Sequence, residues 1–493
     1  MASPPGHLDR LSGVDASFLL QEGASTHMHI GGVAVFEGPA PAYEEFLAHI
    51  DARLPLVHRY RQKIVEPPLR TGRPVWVDDP NFNLAYHVRH TALPRPGGEE
   101  QLLALTSRIF SQRLDRTKPL WEMWLVEGYE ADRFALITKT HHCLVDGVSG
   151  VDLLTMLFDV TPAPRDVDAA DEWQPAPEPS PAELLAAGVR GLIDTGRELA
   201  GGLVNAALHP DRTLQRLREA AEGLGEVAWA GINPPPTTPL TEDIGPHRRF
   251  AVVRGRLEDF KAIKDVFGGT VNDVVLAVTT GALARFLRHR GLRTDGLELR
   301  ALVPVSVRTA QQRGDMGNQL TQILCPLPVY VNDPVARLHF VRETMAGLKE
   351  SKQAVGASAL VGMENFAPPT ILAQASRLHF SSRMYTLLVT NVPGPQFPLY
   401  LLGRELLDVV PVPFLGGRRA LAVAIMSYNG RVDFGLLGDY DALPDLDVLA
   451  EALADSLDEL RELAGREEAS RRVGDAEVTA RATVRAPSNG HTD

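Results

Sequence analysis

Cysteine is almost absent from this sequence: among 493 residues only Cys143 and Cys325 occur, both inside apolar stretches. Two thiols cannot build a disulfide framework or a cysteine-based zinc site, and their scarcity points to a reducing compartment. Long apolar runs are missing too. No stretch approaches the ~18 consecutive apolar residues of a membrane-spanning helix, and the first ten residues lack the apolar core of a secretory leader. Positive charge is in deficit, with 50 Lys and Arg against 62 Asp and Glu and a net charge of −12. That balance argues against nucleic acid, whose binding rests on cations meeting phosphates. It also argues against strong adsorption to anionic lipid but leaves contact with neutral lipid open. What is present is ordinary for a globular chain. The 44% hydrophobic and 23% charged residues suffice for large cores and exclude disorder of the whole. The expectation is a soluble or peripheral protein of the cytoplasm, not a secreted one.

Apolar patterning divides the chain. Residues 1–165 read as mixed α/β, with strands at Gly31–Phe36 and Phe134–Thr140 and helices over Tyr43–Leu54 and Glu99–Leu114. A segment dense in Pro, Ala and acids, Thr161–Pro181, opens a connector over 166–245 that continues with helical patterns at Ala182–Leu208 and Arg212–Ala230. A second α/β unit, 246–463, has strands at Phe250–Arg256, Leu297–Val303, Leu387–Asn391, Ala420–Ser427 and Asp433–Leu437. Its helices are Asn272–Leu287 and a closing one at Pro444–Leu463. Residues 464–493, charged and then rich in Ala, Thr and Ser, read as a flexible tail.

Chemistry concentrates in Lys139–Gly147. An apolar strand delivers His141 and His142 to its end, and a turn with Asp146 and Gly147 follows. Imidazole ionises near neutral pH, so a histidine at a strand end can accept a proton there. A carboxylate four residues on can fix the turn or pair with an arginine. Adjacent residues on an extended chain face opposite ways, so the two histidines would not share a metal. No H-E-x-x-H or second ligand cluster exists, and no G-x-S-x-G elbow supports a serine nucleophile. No metal and no cofactor is expected. One-step acyl transfer fits this inventory, since it needs only a base, a positioned hydroxyl and an activated acyl donor.

His141-His142-x-x-x-Asp146-Gly147 resembles the HHxxxDG signature of CoA-dependent acyltransferases and peptide-synthetase condensation domains. The whole chain resembles the bacterial wax ester synthase/diacylglycerol acyltransferase family. The resemblance rests on Leu11–Phe18, His27–Gly31, Pro119-Leu120-Trp121, Val271–Ala277, Val303–Arg308, Asn391–Pro395 and Ser427–Gly430, in the family's order. It implies an α/β architecture of two chloramphenicol-acetyltransferase-like domains forming a pseudo-dimer with a tunnel between them. It further implies His142 as general base, His141 as geometric support, Asp146 as a structural carboxylate and Gly147 as the residue that keeps the turn open. Arg59, Arg61 and Arg308 are all candidates to pair with Asp146. Asn272, with Asp273 beside it, is the candidate to hold the oxyanion.

Plainer readings stand beside these. Pro119-Leu120-Trp121 could wall the substrate tunnel or simply pack near it, and Asn272-Asp273 could cap the following helix. Asn391–Pro395 reads as a rigid turn, and the basic stretch His58–Arg73 as a solvated face. The partners implied are acyl-CoA, a diacylglycerol or fatty alcohol, and a membrane or lipid-droplet surface touched reversibly through Ala182–Leu208 or Ala357–Leu378. Two other jobs fit the same scaffold. One is condensation of a carrier-bound acyl group with an amine or glycolipid; the other is lipid binding without catalysis.

Overall fold

In the computed structural model the residues described are 9–144, 157–165, 173–191, 193, 197, 232–306, 320–350 and 384–484. The amino-terminal part runs α1 (Gly13–Gln21), β1 (His29–Phe36), α2 (Tyr43–Arg53), β2 (Gln62–Val65), β3 (Val75–Asp78), α3 (Leu84–His87), β4 (Val88–Ala92), α4 (Glu99–Phe110), β5 (Trp121–Tyr129) and β6 (Arg133–His141). The carboxy-terminal part runs β7 (Arg248–Arg256), α5 (Leu257–Phe267), α6 (Val271–His289), β8 (Glu298–Ser306), β9 (Leu320–Pro328), α7 (Pro334–Glu350), β10 (Leu387–Pro393), β11 (Tyr400–Leu401), β12 (Arg404–Val412), β13 (Leu421–Tyr428), β14 (Arg431–Asp439) and α8 (Leu446–Val484). The strands expected from the apolar runs form where they were read. β2, β3, β4, β5, β9, β11 and β12 carry no such run and are added by the structure.

Two six-stranded sheets organise the chain, ordered β11-β12-β1-β6-β5-β4 and β7-β14-β13-β10-β8-β9. The first corrects the domain boundary drawn from sequence. β11 and β12 belong to the carboxy-terminal stretch, yet β12 pairs antiparallel with β1, Gly31 opposite Val412 and Val35 opposite Asp408. The amino-terminal sheet is therefore completed from more than 360 positions downstream. The closing helix α8 also runs through residue 464, where the sequence reading began a flexible tail, to Val484.

The seam between the sheets is apolar and shared. One cluster of buried apolar side chains joins Val33, Val35 and Ile137 of the first sheet to α6 and the strands of the second. At Gly435 on β14 an added Cβ would lie 1.8 Å from the Pro411 carbonyl oxygen on β12, so only glycine lets the sheets approach this closely. Gly31 performs the same service between β1 and β6, where a Cβ would stand 1.8 Å from the Thr138 carbonyl oxygen. Of the connector, residues 181–191 are helical; Leu184 packs on Val75 and Val77 of the β2–β3 hairpin. Among the described residues no single helix is long and apolar enough to cross a membrane.

Candidate active site

β6 is the central support. Phe134 to Ile137 are completely buried, as expected of a strand covered on both faces. Further along, Lys139 is 0% exposed, and its ammonium donates to the carbonyls of Ile109 and Gln112 and to Glu122, each at 2.8 Å. All three of its protons are thus spent, which lets a charged side chain sit inside the sheet. Burial lowers its pKa, with Glu122 opposing that shift. The strand end is pinned twice: the His141 N–H donates to Leu120 O at 3.0 Å and the His142 N–H to Met28 O at 2.9 Å.

The two histidines take different surroundings. His141 is fully buried, and its Nδ1 lies 3.2 Å from the Cys143 N–H and 2.9 Å from the Cys143 thiol. The Cys143 N–H donates to that nitrogen, so it carries no proton. Burial, then the neighbouring His142, pulls the His141 pKa down to about 3. His142 is half-buried and opens a short 3₁₀ turn, His142–Leu144. Its ring stacks on Phe18 of α1 (centroids 4.0 Å apart, planes 23°) and meets Phe414 edge-on at 5.5 Å. Phe414 comes from the loop after β12, so His142 lies on the seam between the two units. Burial pulls its pKa down to about 4, and a hydrogen bond from the ring to its own main chain works the other way. The ring is therefore neutral at pH 7, with one nitrogen bare to accept a proton.

The other residues singled out by sequence divide. Asp146, Gly147 and Arg308 lie outside the described residues, as does Ala357–Leu378. Arg59 pairs with Asp9 at 2.5 Å and covers Trp76; Arg61 reaches Asp51 at 3.4 Å and covers Trp173. Asp273 is a helix cap: its carboxylate accepts the Thr270 N–H and hydroxyl, both at 2.8 Å, while the Asp273 N–H donates back to Thr270. This is the capping arrangement that the sequence also allowed. Asn272, at the amino end of α6, accepts from the Asn391 amide at 3.2 Å, which leaves its own N–H groups free to point elsewhere. Its partner is Asn391, not His142.

Pro119-Leu120-Trp121 is chiefly packing. Leu120 and Trp121 are buried, the indole stacks on His87 at 4.7 Å, and its N–H donates to Tyr60 O at 2.8 Å. The Leu120 carbonyl is the one that holds His141. Pro119 and Trp121 also border a cavity of about 150 Å³ with Tyr86, Arg89, Arg113 and Glu122. Phe414 was missed altogether: it follows a V-P-V-P run with no helix or strand period, and only the fold brings it to the histidine. Phe18 sits inside the quoted Leu11–Phe18 segment, but nothing in that segment tells which side chain meets the base.

Residues 11–275 match the wax ester synthase/diacylglycerol acyltransferase catalytic domain, and residues 316–461 match that family's carboxy-terminal domain. The chain belongs to this family. Its relatives include a probable diacylglycerol O-acyltransferase of Mycobacterium tuberculosis, 34% identical over 471 residues, covering 95% of this chain and 99% of the relative. A second, putative one from the same species is 34% identical over 472 residues, 92% of this chain and 90% of the relative. Among solved structures the wax ester synthase/diacylglycerol acyltransferase of Marinobacter aquaeolei VT8 superposes with a TM-score of 0.65. It is 29% identical and covers 92% of this chain and 100% of that one. The starter condensation domain of rhizomide synthetase shares the fold (TM-score 0.56, 14% identity, 93% and 94% coverage). Members of the wax ester synthase/diacylglycerol acyltransferase family are thus recognisable here from end to end, and the two-domain, condensation-like α/β architecture expected from the sequence is the one observed.

Proposed function

We infer that this enzyme is an O-acyltransferase that moves a long-chain acyl group from acyl-CoA onto diacylglycerol, a long-chain fatty alcohol, or both. The observation that carries the reading is His142 on the seam, its ring held between Phe18 and Phe414 and kept neutral by burial. In the step proposed, Nε2 takes the hydroxyl proton as the alcohol oxygen attacks the thioester carbonyl. The resulting imidazolium then gives that proton to the departing CoA thiolate, so the ester forms with no acyl-enzyme and no net proton change. An apolar, water-poor seam favours the alcohol over hydrolysis.

Asn272 is the proposed oxyanion donor, because Asn391 occupies its carbonyl and leaves its N–H groups available. Asp146 is proposed to fix the turn through Arg308, since Arg59 and Arg61 already hold other carboxylates. The step uses neither a metal nor a cofactor. Because the acceptors are insoluble, the enzyme is proposed to touch a membrane or lipid droplet reversibly from the cytoplasmic side. The exposed ridge Leu185, Val189 and Ile193, with Leu69 nearby at 92% exposure, supports that contact.

Thiol release from palmitoyl-CoA, with dioleoylglycerol, hexadecanol or no acceptor, tests the reaction. We expect acceptor-dependent release that falls at least ~10²-fold in His142→Ala. A folded variant that keeps its rate would refute the role of His142. The same acceptors presented in neutral vesicles, followed by sedimentation, test the surface contact; a protein that turns over but never co-sediments would sink it.

A further inference from the structure

Behind the catalytic turn, five buried polar atoms have no hydrogen-bond partner: Gln21 Nε2, Glu22 Oε2, both ring nitrogens of His29, and His141 Nε2. Those of Glu22, His29 and His141 come from three neighbouring places, just after α1, the start of β1 and the end of β6, where His29 stands opposite His141 in the sheet register. Burial is nearly complete: the side chains of His29 and Glu22 are each 1% exposed, and His141 is 0% exposed. Orphaned polar groups so close together are costly unless water joins them.

The donor and acceptor directions settle how they can be joined. His141 Nδ1 receives the Cys143 N–H, with the Cys143 thiol beside it. A neutral His141 therefore keeps its proton on Nε2, which faces away from the turn and needs an acceptor. His29 is next in line, its ring centroid 5.8 Å from that of His141 at 72°. Beyond it, His29 Nε2 lies 3.9 Å from Glu22 Oε1, too long for a direct hydrogen bond. On its other side His29 borders a cavity of about 10 Å³, shared with His27, Phe110, Arg248 and Phe414, with room for about one water. At the outer end Arg113 and Arg116 stand 3.4 and 3.6 Å from Glu22, balancing a carboxylate that would otherwise be buried alone.

We propose that Glu22 and His29 are positioning residues: through bridging water they hold His141 as its Nε2–H tautomer, so that its bare Nδ1 grips the Cys143 N–H and fixes the turn that presents His142. The donors then run one way, from the Cys143 main chain through His141 and His29 to Glu22. The groups that face His29 are Lys139 and His141 on β6, His27 just before β1, Glu22 after α1 and Arg113 after α4. Burial, and after it the cations Lys139 and Arg113, oppose its protonation, which keeps it able to accept as well as donate. This proposal rests on His142 as the base, but its first test does not.

The test uses the full chain labelled with ¹⁵N-histidine, comparing wild type, His29→Leu, His29→Gln and Glu22→Gln. In wild type the His141 signal should report a single Nε2–H tautomer; in His29→Leu and Glu22→Gln it should become mixed or exchange-broadened. Turnover with palmitoyl-CoA should fall about 10- to 100-fold in His29→Leu with KM nearly unchanged. Gln, which can accept and donate at that place, should restore most of it. A folded His29→Leu with an unaltered His141 signal overturns the proposal, as does a loss of turnover that His29→Gln deepens while the tautomer stays fixed. If wild type transfers to no alcohol, the functional reading fails while the tautomer measurement still decides this one.

Discussion

Lys139 shows what a single residue is asked to do near this site. It is a cation inside a sheet, two positions before His141, and its three donors are satisfied by two carbonyls and one carboxylate. Lys139→Met would leave the Ile109 and Gln112 carbonyls without this donor and Glu122 with only Arg89, at 3.3 Å. Breaking a buried pair in this way costs about 3–5 kcal/mol, and we expect the urea midpoint to move down accordingly; an unchanged midpoint would mean the pair is dispensable. At this scale the sequence was informative about chemistry and poor about contact. The histidine pair stood out because two imidazoles end an apolar strand. Phe414, which closes His142 from the other unit, carries no local signal, and Asp273 looked as much like a site residue as like the cap it is. Its neighbour Thr270 was the available clue, since a hydroxyl three residues before an acid is a capping pattern.

Among elements, strands buried on both faces were legible and those that cross the seam were not. β1, β6, β13 and α6 announce themselves as apolar runs. β12 (RELLDVVPV) holds two acids and a proline, which demote it as a strand by pattern alone, yet it pairs with β1 along six positions. Its Asp408 is explained by a partner no local pattern could supply: Arg254 on β7 donates to it at 2.6 Å and to Glu99 of α4 at 2.6 Å. The close approach of β14 to β12 depends on Gly435. Gly435→Ala should force these two strands apart and cost at least the roughly 1–3 kcal/mol of an overpacked core. Its readout is a lower denaturation midpoint together with weaker protection of amides on β12 and β14. Full stability in that variant would show the seam to be more pliable than its packing suggests.

For the molecule as a whole, buried titratable groups set stability on both sides of neutrality. His141 and His142, drawn down to about 3 and about 4, bind fewer protons folded than unfolded. Their contribution is complete above about 6.5 and is lost as pH falls toward their folded values, at up to about 1.4 kcal/mol per pH unit for each. Asp433 has the opposite sign. Burial and the facing Asp408 push it up to about 9, so its contribution is largest in acid and disappears as pH rises from about 3.8 toward 9. Urea midpoints from pH 4.5 to 9 should therefore show a maximum near neutrality. Asp433→Asn, which keeps a donor for Asp408, should flatten the alkaline side and steepen the acid side, where Asp433 had opposed the histidines. A wild-type curve still rising at pH 9 would contradict this.

The completion of the first sheet by β12 reaches back to the ribosome. β1 is made early and carries apolar side chains on both faces, yet the strand that covers its free edge lies some 370 residues later. At ordinary synthesis rates that is roughly 20–75 s with an unpaired edge beside the catalytic strand. Throughout that interval the nascent chain offers a template to any extended segment nearby. Chains that stop short of Arg404 keep that liability for good. The enzyme is therefore an all-or-nothing product of translation: a fragment that ends anywhere before the last third of the sequence, even one containing both histidines, is expected to aggregate rather than to form a smaller transferase.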